Sequence, residues 1–135
     1  MHILRSRKTY IVLFCIYLAA VAVACFSKPS NLPDMGSGTF FGIPMDKVLH
    51  FIMFLPFPVL ASMSIIEPKR SMAAKLTILL VIAFTGIGLA YGTEAIQAQL
   101  GYRSYDVIDL LADTIGITAG AFATALLIIC FRPKK

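Results

Sequence analysis

Three stretches of this chain carry residues whose types and spacing suit chemistry. Asp46, Lys47 and His50 come first, with positions 46 and 50 one helical turn apart and on one face. Glu94 and Gln97 follow at a spacing of three, and Asp106, Asp109 and Asp113 then form one stripe of a helix, with Arg103 just before them. An imidazole or a carboxylate in a water-poor site serves as general acid or base, which makes His50, Glu94 and Asp109 the candidate catalytic groups. Lys47, His50, Gln97, Arg103 and Asp106 are the candidate substrate contacts, with Arg103 suited to an anionic head group. Glu94, Asp106, Asp109 and Asp113 offer carboxylate oxygens to a hard divalent cation, with His50 as a further ligand. Spacing alone does not choose the metal.

Each of these residues also has a plainer reading. Asp46 and Asp106 suit helix N-caps, the latter together with Ser104. Lys47 can reach the interface and do nothing else. Arg103 can pair with Glu94 or an Asp, and Gln97 can bridge helices, which makes a polar clasp. Charge counts against a self-satisfied clasp: Asp46, Glu94, Asp106, Asp109 and Asp113 face only Lys47, Arg103 and a protonated His50. Protons held by the carboxyls, a bound cation or a basic ligand group must make up the difference.

The elements that carry these residues are apolar. Of 135 residues 59% are hydrophobic and only 14% charged, and the mean hydropathy is +0.84, too little polar surface for a soluble domain. A charged side chain at the centre of a bilayer costs at least ~2.5 kcal/mol, so the cluster demands an explanation. Charge-free or nearly charge-free runs predict four membrane spans, at about 10–26, 48–66, 76–100 and 107–131. Basic tails at 1–9 and 132–135 flank this single membrane domain. The stretch from Ser27 to Pro44, rich in Pro and Gly, reads as a loop without regular structure. Pro56 and Pro58 are expected to kink the second span without ending it. Gly101 is a natural stop for the third.

The expected fold is an all-α integral membrane protein, a four-transmembrane-helix bundle with both termini inside. Its orientation follows from the bases. Arg5, Arg7, Lys8, Lys69, Arg70, Lys75, Arg132, Lys134 and Lys135 fall on one side, against Lys28, Lys47 and Arg103 on the other. Nine against three puts the termini in the cytoplasm and the polar cluster on the extracytoplasmic side of a multi-pass protein of the cell membrane. The net charge of +5 is thus an orientation signal, and nucleic acid is not an expected partner. A competing reading makes the first run a secretory signal with an A-x-A site at Ala22, Val23 and Ala24. The residues before Cys25 make a poor lipobox. Cys15, Cys25 and Cys130 have no metal-ligand spacing and read as small packing residues. Gly116 and Gly120, like Gly88 and Gly92, are spaced for close helix packing.

The ordered set Asp46-Lys47-x-x-His50-Phe51, Tyr91-Gly92-x-Glu94-x-x-Gln97, Arg103-x-x-Asp106-x-x-Asp109 and Gly116-x-x-x-Gly120 resembles the VanZ-like membrane protein family. The resemblance covers about Asp46 to Gly120, with a compatible first span before it. Asp113 stands where the family often has Asn, which adds a carboxylate. The resemblance implies a link to low-level resistance to the glycopeptide teicoplanin.

Two classes of function follow. One is a membrane enzyme or binding protein for an amphiphile or lipid-linked cell-wall intermediate at the outer leaflet, in a pocket lined by the cluster and with a divalent cation as the candidate cofactor. The other is a non-enzymatic envelope component whose cluster supports the fold or engages a partner. Membrane lipids are partners in both. The chain lacks a nucleophile elbow, a P-loop and a CxxC pair, which favours the second. Transport has little support, since no inverted repeat is visible.

Overall fold

The computed structural model describes residues 7–28, 31, 38–101 and 104–130. Helix α1 runs Arg7–Phe26; α2, Met45–Phe54, and α3, Pro56–Ile65, make one span; α4 is Met72–Gln99 and α5 is Val107–Cys130. A two-stranded antiparallel hairpin, β1 Thr39–Phe40 with β2 Ile43–Pro44, leads directly into α2. This hairpin lies in the stretch expected to lack regular structure. Its turn needs positive φ at both central residues, which Phe41 (φ 50°) and Gly42 (φ 79°) supply.

All four spans are long and apolar enough to cross a membrane. The first three also begin earlier than charge-free runs indicate, because Arg7, Lys8, Asp46, Lys47 and Lys75 sit in first turns as helical residues, whereas the fourth begins at Val107 as expected. Asp46 does not cap its helix: Pro44 holds the cap position, without a side-chain hydrogen bond. Ser71 caps α4 by accepting from the Ala74 amide, and Gly101 follows the end of α4 at φ 79°.

The spans alternate in direction, and contacts at each end show it. At one end Arg7 Nε donates to the Ser64 carbonyl at 2.9 Å, joining the start of α1 to the end of α3. At the other, Gln97 Nε2 donates to the Cys25 carbonyl at 2.7 Å, joining α4 to the end of α1. Tyr17 Oη donates to the Met53 carbonyl between them. The first helix is therefore tied into the bundle along its length, residues around the A-x-A sequence included.

Leu55 breaks the second span into two helices while keeping helical φ and ψ. Pro56 and Pro58 have no amide hydrogen to give, so the ladder is interrupted there. That broken segment lies flat against α5. A Cβ on Gly116 would come 2.5 Å from the Phe51 carbonyl oxygen, and one on Gly120 would overlap the Leu55 carbonyl oxygen. Only glycine lets the backbones approach so closely. Gly88 and Gly92 have nothing near them, contrary to expectation; in α4 it is Gly86 that packs, against the Phe57 ring.

The interior is layered by helical turn. Phe54, Ala90 and Ile117 form one apolar cluster, and Phe57, Ala61 and Ile82 a second. The outer surface is apolar too: Val12, Leu80, Phe84, Ile115 and Phe122 are among many exposed large hydrophobics. Apolar outside and polar at selected inside positions is the arrangement a bilayer requires.

Candidate functional site

One turn above Phe54, Ala90 and Ile117, the same three faces carry His50, Glu94 and Asp113. Counted along their helices, each lies about 7–9 Å from the nearer helix end at 1.5 Å per residue. Their common depth follows from helix period alone, because each is four residues from its apolar counterpart.

The side chains form a connected set. Lys47 Nζ lies 2.5 Å from Asp106 Oδ2, 2.5 Å from Asp109 Oδ1 and 3.1 Å from Asp46 Oδ2. It thus ties α2 to the start of α5 and does more than reach the interface. Asp106 accepts from the Ile108 amide through Oδ1, so it caps α5 as its position suggests. Its own amide donates to Glu94 Oε2 at 3.3 Å. The hydrogen bond from Lys47 holds the Asp106 carboxyl below the usual carboxylate range, so it stays ionised at neutral pH.

His50 stands at the centre. Its Nδ1 is 2.9 Å from Asp113 Oδ1, and its Nε2 faces Asp109 Oδ2 at 3.6 Å. His50 is 7% exposed, Glu94 1%, Gln97 2% and Asp113 0%. The cluster is therefore a largely buried polar layer that meets solvent at Asp46, Asp106 and Asp109. Glu94 Oε1 and Asp113 Oδ2 are buried without a hydrogen-bond partner among the described residues. Buried polar atoms are nearly always paired, so two carboxylate oxygens without a partner among the described residues mark this layer as a candidate site.

Of the expected site residues, Asp46, Lys47, His50, Glu94, Asp106, Asp109 and Asp113 come together; Gln97 lies in the same turn of α4 but bonds to α1. Arg103 lies outside the described residues. The expected metal ligands divide: His50, Glu94 and Asp109 each bring a ligand atom within 4.8 Å of the others. Asp106 turns instead to Lys47 and its own helix, and Asp113 to the far nitrogen of His50. Sequence reasoning did not single out Tyr105, whose ring packs edge-on against Tyr91 beside the cluster.

The sequence profile of the VanZ/LLP1 family matches residues 9–129. This chain belongs to the VanZ/LLP1 family. The match takes in all four spans, so the polar layer sits within the part of the chain that VanZ/LLP1 proteins share. An uncharacterized protein of the fission yeast Schizosaccharomyces pombe is similar to it, 29% identical over 110 residues, which is 82% of this chain and 59% of that protein. This chain thus spans about three fifths of that relative's length. No solved structure matches it.

Proposed function

We propose that this protein is a component of the cell membrane whose polar layer faces the extracytoplasmic side and binds the polar head of a membrane amphiphile. The observation that carries the reading is the pair of orphan oxygens on Glu94 and Asp113, set around a histidine that Asp113 orients. A bundle needing only a clasp would leave no buried carboxylate unpaired. His50, held by Asp113 and flanked by Glu94 and Asp109, is equipped for acid–base work on a head group that enters past Asp106 and Asp109. The distribution of Lys and Arg supports cytoplasmic termini and, with them, a layer on the outer side. Similarity to a yeast protein favours an amphiphile class common to many membranes, and resistance to teicoplanin-type glycopeptides then follows from altered handling of lipid-linked envelope intermediates.

A second reading has its own support. The Lys47 bridges and the Gln97 bond to the Cys25 carbonyl are true helix ties, as a non-enzymatic envelope component with a structural cluster requires.

The test is the lipid content of the full chain extracted gently from its own membrane, wild type beside Asp109→Asn and Gly88→Ala. We expect one amphiphile class enriched over the bulk membrane in wild type and Gly88→Ala and lost in Asp109→Asn. Identical lipid profiles in all three would refute the binding role.

A further inference from the structure

We propose that His50, Glu94 and Asp109 hold a divalent transition cation of the manganese or zinc kind. This deepens the reading of the polar layer as a head-group site and rests on it. Three observations converge. First, the ligand atoms of these residues come from three different helices, yet lie within 4.8 Å of one another. With metal–ligand bonds of about 2.0–2.2 Å, a single ion reaches all three after side-chain movements of less than about 1 Å.

Second, the histidine is presented as a metal ligand would be. Its Nδ1 is engaged by Asp113 Oδ1 at 2.9 Å, which leaves Nε2 as the free lone pair. Metal-bound histidines almost always carry such a partner on the other ring nitrogen, where it fixes the tautomer and raises ligand basicity. Nε2 faces Asp109 Oδ2 at 3.6 Å, too long for a hydrogen bond and suited to two ligands sharing an ion. Asp109 keeps its other oxygen on Lys47, which fixes the carboxylate in place.

Third, Glu94 has an unspent oxygen. Its side chain is 1% exposed; Oε2 takes the Asp106 amide, and Oε1 has no partner among the described residues. Two carboxylates and a neutral imidazole balance the charge of a dication. One nitrogen and two oxygens suit manganese or zinc better than calcium or magnesium, which take oxygen ligands throughout. With three protein ligands, the ion would keep an open coordination position for an oxygen of the head group.

Chelator-treated full chain in lipid nanodiscs, titrated with Mn²⁺ and followed by electron paramagnetic resonance, tests this. We expect one saturable ion per chain with a nitrogen coupling from His50. His50→Gln should abolish that coupling, and Glu94→Gln should weaken binding at least tenfold. Asp113→Asn, a positioning change, should weaken it about 10–100-fold. Circular dichroism confirms that each variant is helical, and Gly88→Ala serves as a control that binds as wild type does. No saturable binding, or binding unchanged in folded Glu94→Gln, overturns the metal site. Amphiphile retained by metal-free protein would overturn the metal's part in head-group binding and leave the head-group site standing. Metal bound at His50 with no amphiphile enriched would do the reverse.

Discussion

Lys47 illustrates how a residue with a bland position acquires weight from its neighbours. It stands in the first turn of α2, where a lysine ordinarily reaches for the interface, but its side chain is only 12% exposed and lies among three carboxylates. Removing it leaves Asp106 and Asp109 facing each other at a partly buried helix junction. Breaking a buried pair by deleting one partner typically costs about 3–5 kcal/mol, and Asp106 is open enough to solvent to lower that figure. Lys47→Ala should therefore destabilise the protein by about 2–3 kcal/mol, read as a fall in melting temperature in detergent. A shift below about 0.5 kcal/mol would mean that solvent already screens the bridge. His50 and Asp113 behave differently, since their hydrogen bond orients a ring more than it joins helices: α2 and α5 are already locked by glycine contact beneath it.

That contact is where element and sequence meet most directly. Gly116→Ala must push the α5 backbone away from the Phe51 carbonyl, and overpacking of this kind costs about 1–3 kcal/mol. Gly88→Ala meets nothing and should be neutral or stabilise slightly through helix propensity. Thermal unfolding of the two variants side by side checks the contrast; equal losses would show that the glycines act through backbone flexibility instead. Both pairs share one spacing, so sequence could not separate them. What separates them is the partner: Gly116 and Gly120 oppose a segment stripped of amides by Pro56 and Pro58, whereas Gly88 and Gly92 point outward. The four apolar helices and the shared depth of His50, Glu94 and the Asp stripe were legible, because both depend only on hydropathy and helical period. The ties of Lys47 to Asp106 and Asp109 and the Phe41–Gly42 hairpin turn were not, since they depend on side-chain direction and on backbone torsions that periodicity does not encode.

For the molecule as a whole, the acids outweigh the abundant bases in meaning. Five of the seven acidic residues gather where three helices meet one end of the bundle, with Lys47 as the one lysine or arginine among the described residues of the layer. Such an imbalance costs stability, and a protein retains it where a ligand or a proton makes use of it. The end carrying the layer differs from the other in kind. At the opposite end, a groove of about 230 Å³ between α3, α4 and α5 is lined mainly by apolar residues such as Val59, Met63, Ile66 and Leu127.

A working site and a clasp differ in what a neutral isostere does to stability. In chelator-treated protein a clasp depends on the Glu94 carboxylate, whereas a vacant binding site carries it as an uncompensated buried group. The deciding measurement is the thermal unfolding of chelator-treated Glu94→Gln against wild type in the same nanodiscs. A working site predicts an unchanged or higher melting temperature, with a gain of up to about 1 kcal/mol. A melting temperature lowered by the equivalent of about 2 kcal/mol or more would contradict it and establish the clasp.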